Sequence, residues 1–318
     1  VKDIPFHTVL DAFGGTGSVA YRMKQEGKEV TYNDLLPFNY LIGKALIENG
    51  NVKLEEREIE ELLRCHANIS YPDFIESTFK DIYFTDEENH WLDIVLTNIR
   101  WMTDPYKQAI AYFALFQSCI IKRPYNLFHR RNLYVRLQDV ERSFGNKKTW
   151  DTPFEVHFRK FVREANNAVF DNGTCCRAMN NDVFNILPHH DLVYIDTPYL
   201  NDAGVGVDYA DFYHFLNGIV NYDRWDSLID YNSKHLRLRR QFNEWNDASL
   251  IRNAFVRLFT LFQDSVMVIS YRSNGIPAIE ELVGILRELN KEVRIHRGVE
   301  MKYALSKRQS SEVLIIAR

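Results

Sequence analysis

The tetrad Asp196-Thr197-Pro198-Tyr199 places an acid, a proline and an aromatic ring directly after the apolar run Leu192-Val193-Tyr194-Ile195. Such a run predicts a buried strand with the tetrad at its tip. An exocyclic aromatic amine is a weak nucleophile because its lone pair is delocalised into the ring. The Asp196 carboxylate and the Thr197 backbone carbonyl can each accept one amino hydrogen, which favours a pyramidal nitrogen. The proline fixes the turn, and the tyrosine offers a face on which an extrahelical base can stack.

A glycine-rich turn, Asp11-Ala12-Phe13-Gly14-Gly15-Thr16-Gly17-Ser18, follows another short apolar run near the start of the sequence. Glycines allow a sharp turn, and the next helix points its N–H groups and positive dipole end at a bound ligand. The dinucleotide fingerprint Gly-x-Gly-x-x-Gly fails here because Ala20 stands at the third glycine position and Asp11 would repel a pyrophosphate. Asp11 can accept from the ammonium of a methionine moiety, so the turn favours S-adenosylmethionine over NAD.

Two further acids stand where a nucleoside cofactor needs them. Asp34 ends the next predicted strand and is placed to accept from both ribose hydroxyls. Asp182 precedes the strand that carries the tetrad and can accept from an adenine amino group, with Val183 or Phe184 beside the ring. The pattern predicts methyl transfer without a metal.

The elements that must position these residues alternate between strand and helix. Strand patterns cover residues 7–10, 29–32, 192–195, 265–270, 293–296 and 312–317, and helices are expected at 18–25, ending at Gly27, and after Pro277. Residues 50–165 have helical periods, with a strand-like, turn-rich piece from Tyr125 to Trp150. We therefore predict a Rossmann-like α/β domain from residues 1–49 and 168–318, with residues 50–167 inserted beside the ligand crevice.

The composition fits a globular enzyme of the cytoplasm. The chain has 318 residues, 46% of them hydrophobic and 26% charged, which suffices for a full core. The longest apolar stretch, Ala109 to Ile121, is shorter than the ~20 residues of a membrane span. The four cysteines lack the spacing of a zinc site, and we interpret them as buried thiols, at Cys65, Cys119, Cys175 and Cys176.

Positive charge is concentrated in one segment although the net charge is −4. Lys122 to Arg163 contains eleven Lys/Arg and four Asp/Glu, which predicts either a polyanion-binding face or a solvated surface region. The candidates for phosphate or guanine contacts are Arg130, Arg131, Lys147 and Lys148, and those for adenine readout are Asn132, Gln138 and Asn146. We expect Trp150 to be a core residue, and Lys234 to Arg240 to form a second basic patch on a helix.

The two motifs resemble those of the Dam-like, alpha-type adenine-specific DNA methyltransferases, which carry Asp-x-Phe-x-Gly-x-Gly first and Asp-Pro-Pro-Tyr later. The matching residues are Asp11, Phe13, Gly15, Gly17, Asp34, Asp196, Pro198 and Tyr199. The resemblance implies an S-adenosylmethionine-dependent methyltransferase fold with an inserted target recognition domain, transfer to N6 of a flipped adenine in double-stranded DNA, and a cognate restriction endonuclease as functional partner. Residues 126–132 and 143–148 are similar to the family's recognition hairpin, and residues 302–306 to relatives in restriction-modification systems.

The sequence departs from the family pattern in two places. Thr197 replaces the first proline of the tetrad, at little expected cost because the clamp uses the backbone carbonyl. The family's aromatic and lysine-bearing N-terminal motif does not precede the glycine turn. We expect it either to lie upstream of Val1 or to be absent, with weaker cofactor binding. The alternatives are methylation of a cytosine or RNA amine, a DNA-binding protein with a vestigial pocket, and a nicotinamide-dependent oxidoreductase.

Overall fold

A computed structural model of the chain describes residues 4–140, 147–201, 204, 206, 208–301 and 310–318. The chain divides into two compact units. The sheet unit consists of Val1–Gly43, Asn172–Tyr209 and Gln241–Arg318, and the helical unit of Lys44–Asp171 and Ala210–Arg240. Within the described ranges, the helices are all too short or too polar to cross a membrane.

Nine strands occur in the described part of the sheet unit. They are β1 (Thr8–Asp11), β2 (Glu29–Asn33), β3 (Arg177–Met179), β4 (Leu192–Ile195), β5 (Leu200–Asn201), β6 (Val266–Arg272), β7 (Gly275–Ile276), β8 (Val293–Met301) and β9 (Ser310–Ala317).

Seven of these strands form one sheet in the order β3-β2-β1-β4-β6-β9-β8. The first five are parallel, whereas β9 runs antiparallel to both β6 and β8. Strands β1, β4 and β6 are almost entirely buried, as expected for parallel strands covered on both faces. The predicted Rossmann-like α/β fold is confirmed.

Fourteen α-helices are described in the two units. They are α1 (Ser18–Gln25), α2 (Pro37–Gly43), α3 (Glu56–Leu63), α4 (Phe74–Thr78), α5 (Asp86–Arg100), α6 (Pro105–Ile121), α7 (Leu133–Leu137), α8 (Lys147–Asp151), α9 (Phe154–Ala168), α10 (Tyr209–Phe212), α11 (His214–Val220), α12 (Trp225–Leu228), α13 (Ile251–Leu261) and α14 (Ile279–Glu288).

Local signals at the start of the sheet unit produce the predicted β1–α1–β2 order. Helix α1 ends where Gly27 adopts φ 72°, and the Gly27 and Lys28 amides donate to Lys24 and Met23 carbonyls. Pro37 is the first residue of α2, where its missing N–H costs nothing. One hydrophobic core joins the sheet to α13 and α14, with Phe255, Leu258 and Leu282 fully buried.

Two of the three longest described helices of the helical unit begin with side-chain caps. The Thr85 hydroxyl accepts from the Glu88 amide at the start of α5, and the Asp104 carboxylate accepts from two amides at the start of α6. Around these helices the buried rings of Phe79, Tyr83 and Phe84 pack against one another and against neighbouring aromatic residues.

The helical unit differs from the sequence-based division of the chain. It begins at Lys44 and also includes residues 210–240, which the sequence assigned to the catalytic part. These residues join it because the Phe215 ring stacks on Phe128 at 5.2 Å and Trp225 packs on Phe79 at 4.9 Å. The division into catalytic and target recognition domains stays a prediction.

Three local expectations were wrong. The described part of 125–150 contains α7 and α8 instead of strands, because Leu133 and Arg136 occupy one buried helical face. Residues 234–240 form a turn and irregular chain instead of a helix, because Leu238 bridges to Ile229 and Arg237 pairs with Asp211 and Asp230. Cys65 and Cys175 are exposed, whereas Cys119 and Cys176 are buried thiols.

Residues 141–146 and 302–309, including Asn146 and most of two predicted family segments, lie outside the described residues.

Candidate active site

The site is built on the carboxyl ends of three neighbouring parallel strands. Asp11, the last residue of β1, pairs with Tyr32 of β2 on one side and with Tyr194 of β4 on the other. Asp34 directly follows the end of β2, and Asp196 directly follows the end of β4. The charges of both carboxylates act on Asp11. Three predicted site acids come together at one edge, where open α/β sheets bind their ligands.

The glycine turn is held open by the backbone and by one tyrosine. Gly15 and Gly17 adopt φ 51° and 79°, and the Gly14 amide donates to the Asn33 carbonyl at 2.7 Å. The buried Tyr32 hydroxyl donates to the Gly15 carbonyl at 2.6 Å. A Cβ atom on Gly14 would lie 2.1 Å from the Tyr32 ring, so only glycine fits there. The adjacent hydroxyls of Thr16 and Ser18 lie 3.1 Å apart on exposed residues.

Asp34 links the turn to the end of β2. Its Oδ2 accepts from the Gly15 amide at 2.8 Å, and its Oδ1 accepts from the Leu36 amide at 2.7 Å. Burial raises the pKa of this carboxyl, and hydrogen bonds from the two amides and from the Asn39 side chain partly offset that increase.

Asp11 caps helix α1. Its Oδ2 accepts from the Ala20 amide at 3.1 Å, at the end of the helix that carries the positive dipole. The residue is 2% exposed, and burial raises its pKa to about 7, with smaller contributions from the charges of Asp196 and Asp34.

Asp182 and its neighbours were predicted to contact the adenine of the cofactor. Asp182 is exposed and accepts from the Phe184 amide at 3.1 Å, whereas Val183 lies in the hydrophobic core. The Phe184 ring is parallel to Trp245 at 6.1 Å, and the Arg257 guanidinium lies 3.9 Å from its centroid. Val183 and Phe184 were the two residues predicted to lie beside an adenine ring. Phe184 is the more exposed of the two.

Trp245 connects two predicted parts of the site. Its ring meets Phe13 of the glycine turn edge-to-face at 5.2 Å, and it also packs on Phe184 and Phe255. Sequence reasoning missed this residue because it lies in a segment without strand or helix periodicity.

The tetrad is fixed by the elements on either side of it. Strand β4 ends at Ile195, and β5 pairs with β7 through Leu200 and Ile276. Burial raises the pKa of Asp196 to about 7, and the charge of Glu312 adds to the increase. Thr197 is 2% exposed.

The aromatic end of the tetrad has two partners from β6. The Tyr199 ring meets Tyr271 edge-to-face at 6.1 Å, and the Arg272 guanidinium carbon lies 5.6 Å from its centroid. The Tyr271 hydroxyl donates to the Pro277 carbonyl, which orients that ring. These contacts hold Tyr199 at the rim of the sheet.

Glu312 is a fourth acid near the tetrad that sequence reasoning did not assign to the site. It pairs in register with Arg272, and its carboxylate accepts from the Ser270 hydroxyl at 2.9 Å. The sequence placed it only at the start of a strand, and its approach to Asp196 depends on β9 pairing beside β6.

A family model for D12 class N6 adenine-specific DNA methyltransferases matches residues 2–268. The chain belongs to this family. Residues from β1 through the tetrad and into β6 fall within the match, in agreement with the predicted Dam-like resemblance. An N6 adenine-specific DNA methyltransferase acts on DNA, so the substrate class follows from membership.

Three relatives of this D12 methyltransferase are type II or modification enzymes. The type II methyltransferase M2.HphI of Haemophilus parahaemolyticus is 29% identical over 92% of the chain and 84% of its own length. The type II methyltransferase M.FokI of Planomicrobium okeanokoites is 26% identical over 99% of the chain. The modification methylase StsI of Streptococcus sanguinis is 26% identical over 88%. The chain spans 48% and 42% of the last two relatives.

The predicted DNA contacts of this D12 methyltransferase occupy different environments. Arg130, Arg131, Lys147 and Lys148 are exposed. Arg131 also donates to the Asp81 carbonyl at 3.0 Å, and Lys147 pairs with Asp151 at 3.2 Å. Asn132 is 5% exposed and accepts from the Arg123 guanidinium, so it is an interior residue in this structure.

Part of the predicted basic segment is neutralised internally. Lys122 and Arg136 are buried, and both pair with Glu88, at 2.8 and 2.7 Å. Burial would raise the pKa of Glu88, but the hydrogen bonds and charges of these two partners lower it overall. Arg159 pairs with three glutamates. The segment is therefore less basic at its surface than its composition suggested.

Proposed function

We propose that the chain transfers a methyl group from S-adenosylmethionine to N6 of an adenine rotated out of double-stranded DNA. The observation that carries the proposal is the position of Asp196, which follows the end of β4, the strand next to β1, and whose charge acts on Asp11 of the glycine turn. The acceptor for the amine and the pocket for the nucleoside cofactor would then lie at the same edge of the sheet.

The residues at this edge fit a sulfonium nucleoside. The Asp34 carboxylate would accept from ribose hydroxyls and the exposed Asp182 carboxylate from an adenine amino group, with Phe184 beside the adenine. Asp11 supplies negative charge near an ammonium. S-adenosylmethionine would supply an electrophilic methyl group. The turn residues Gly14, Gly15, Thr16, Gly17 and Ser18, together with Phe13 and Val183, would form the surrounding wall.

The tetrad would prepare the amine. In its ionised form the Asp196 carboxylate accepts one amino hydrogen, and the Thr197 carbonyl accepts the other, which turns the nitrogen lone pair away from the ring. Pro198 keeps the turn rigid without adding a donor, and Tyr199 stacks on the base. The methylated nitrogen then loses one hydrogen ion readily, and no dedicated general base is assigned to this step.

The helical unit would hold the duplex. Exposed Arg130, Arg131, Lys147 and Lys148 supply positive charge for phosphates, and Asn132 would fix the backbone of that segment through Arg123. The names of the relatives support a role as the modification partner of a restriction endonuclease.

Calorimetry with S-adenosylmethionine, S-adenosylhomocysteine and NAD tests the cofactor part of the proposal. We expect the first two to bind and NAD to give no heat. Binding of none of the three would favour a DNA-binding protein with a vestigial pocket, and binding of NAD alone would favour an oxidoreductase.

The pH dependence of transfer should follow the buried acids. Asp196 and Asp11 both have a pKa near 7, so the charged forms are present above this pH and are lost below it. We expect kcat/KM to rise with pH through about 7 and then level off, because kcat/KM reports the free protein. A profile that is flat between pH 5 and 9 would show that no acid essential for transfer titrates near pH 7, which would contradict this prediction.

Glu312→Gln should move this profile. Removing its negative charge takes away one cause of the raised Asp196 pKa, so the midpoint should shift to lower pH. Ser270→Ala is the matched control, because it removes the hydrogen bond to Glu312 and keeps the charge. An unchanged midpoint in Glu312→Gln would refute this coupling.

Replacing Lys147 and Lys148 by alanine should weaken DNA binding and flatten its salt dependence. Each lost phosphate contact lowers the slope of log K against log salt by about 0.9. We therefore expect a decrease of between about 0.9 and 1.8, measured by fluorescence anisotropy at several salt concentrations. Lys53→Ala, which replaces an exposed lysine outside the basic segment, is the control. An unchanged slope would move the DNA site elsewhere.

A further inference from the structure

One buried asparagine connects three segments of the candidate cofactor site. Asn33 is the last residue of β2 and is 1% exposed. Its Nδ2 donates to the Ala12 and Asn181 carbonyls, both at 3.1 Å, and its Oδ1 accepts from the Asn181 amide at 3.0 Å. The side chain therefore pairs with both backbone groups of Asn181, as a neighbouring strand would.

Each segment that Asn33 joins carries a predicted cofactor-binding residue. Asp34 follows it directly in the sequence, and Asp182 follows the residue that its side chain pairs with. The Asn33 backbone carbonyl also accepts from the Gly14 amide at 2.7 Å. One residue thus connects the glycine turn, the acid predicted for the ribose and the acid predicted for the adenine.

Asn180 adds a second link between two of these segments. The backbone pairing of β2 with β3 reaches the bond between the Asp34 amide and the Met179 carbonyl, at 3.2 Å. Asn180 is exposed, and its Nδ2 donates to the Asp34 and Leu35 carbonyls at 2.7 and 3.0 Å. The side-chain amides of Asn33 and Asn180 therefore continue the pairing of these segments past Met179.

We propose that Asn33 and Asn180 are positioning residues that hold Asp182 in register with Asp34, so that the ribose and the adenine of the cofactor are bound as one unit. This inference rests on the proposed function, which assigns these two acids to the nucleoside. Neither asparagine has to touch the cofactor. Affinity gains because segments that are already ordered lose less conformational entropy when the ligand binds.

Asn33→Leu removes the link at almost constant size. The asparagine amide offers two donors and an acceptor, and leucine offers none. The Asn181 amide and two carbonyls then lose their bonds in a buried place, so the thermal midpoint should fall. Binding is therefore measured by calorimetry at a temperature where the variant is folded.

Two ligands that differ only at the adenine give the decisive readout. They are S-adenosylhomocysteine and S-inosylhomocysteine, in which an oxygen replaces the amino group. The wild type should bind the first about 10- to 100-fold more tightly, because only that ligand can donate to the Asp182 carboxylate. In Asn33→Leu this ratio should fall about tenfold, because Asp182 is no longer held in place.

Turnover gives a second readout that loss of stability alone does not produce. KM for S-adenosylmethionine should rise about tenfold in Asn33→Leu, whereas kcat at saturating cofactor should stay within about twofold, because the tetrad is unchanged. A fall in kcat with an unchanged KM would overturn the positioning role.

Asn172→Leu is the matched control. Its Nδ2 also donates to two backbone carbonyls, those of Lys24 and Lys28, at 3.0 and 2.9 Å, but before the amino end of β2. This variant should also have a lower thermal midpoint. The ratio of the two ligand affinities should remain that of the wild type.

Asn180→Ala decides the question if Asn33→Leu does not fold. Because Asn180 is exposed, the variant should fold, and it loses the bonds to the Asp34 and Leu35 carbonyls. The affinity ratio should fall about threefold. A wild-type ratio in this variant, or in folded Asn33→Leu, would overturn the inference.

The outcomes separate the two proposals. If the wild type binds S-adenosylmethionine and methylates DNA while the variants keep its affinity ratio, the proposed function stands and this inference fails. Equal binding of the two ligands by an active wild type would also overturn the inference, because Asp182 would then have no contact with the amino group. If the wild type neither binds the cofactor nor methylates DNA, both proposals fail.

Discussion

Asp196→Ala is expected to lower the single-turnover rate of methyl transfer at least about 10²–10³-fold, as loss of one preorganised transition-state contact does. The variant loses the acceptor that prepares the amine, whereas the glycine turn and the basic surface are unchanged. Binding of duplex DNA and of S-adenosylmethionine should therefore stay within a few-fold of wild type. Asp196→Asn keeps one acceptor oxygen and should retain part of the rate.

Asp264→Asn is the control for this experiment. Asp264 is exposed and precedes β6 at the end of the sheet away from the tetrad. It should transfer methyl groups at the wild-type rate. Turnover by Asp196→Ala close to that of wild type would remove Asp196 from the catalytic role.

Gly14→Ala is expected to weaken both the fold and the cofactor site. The new Cβ would lie 2.1 Å from the Tyr32 ring, and that ring is fully buried and bonded to the Gly15 carbonyl. Either the ring or the turn must move, which should lower the free energy of unfolding by about 1–3 kcal/mol. The displaced turn should bind S-adenosylmethionine less tightly, as measured by calorimetry at a temperature where the variant is folded.

Gly284→Ala separates this clash from a general effect of glycine replacement. Gly284 lies within α14, and no atom stands within 4 Å of its added Cβ. Alanine favours a helix by up to about 1 kcal/mol over glycine, so this control should be neutral or slightly stabilising. A Gly14→Ala variant as stable as wild type, with unchanged cofactor affinity, would show that the close approach of Tyr32 is unimportant.

The sheet unit could be predicted from the sequence because its signals are local. The β1–α1–β2 order follows from short apolar runs, Gly27 and Pro37, and each of these acts on its own neighbours. Strand order also follows in part, since a short connection makes β1 and β2 parallel neighbours. The position of β9 beside β6 depends on strand pairing across the whole domain, and no local sequence pattern predicts it.

The insertion was predicted less well because its charged residues are partly internal. Lys122 and Arg136 enter the core to meet Glu88, so an apparent basic face contains buried ion pairs. Asn132 has the residue type of a base reader but bonds to Arg123. A sequence gives the type of such side chains, whereas burial depends on which helices pack together.

In the candidate site, too, residues with a local sequence signal were predicted, whereas residues that depend on tertiary packing were not. Asp11, Asp34 and Asp196 were identified because each follows an apolar run at a turn. Trp245 and Glu312 were missed because each reaches the site from a distant part of the chain. Their contacts, with Phe13 and with Ser270, depend on tertiary packing.

The most direct test of the central claim is to incubate the protein with unmethylated plasmid DNA and tritiated S-adenosylmethionine, and to map modified bases by single-molecule sequencing. We predict label in the DNA and N6-methyladenine confined to one short sequence. Three results would contradict the account. These are label on cytosine, label only on RNA in a parallel reaction, and no label from a preparation that binds the cofactor.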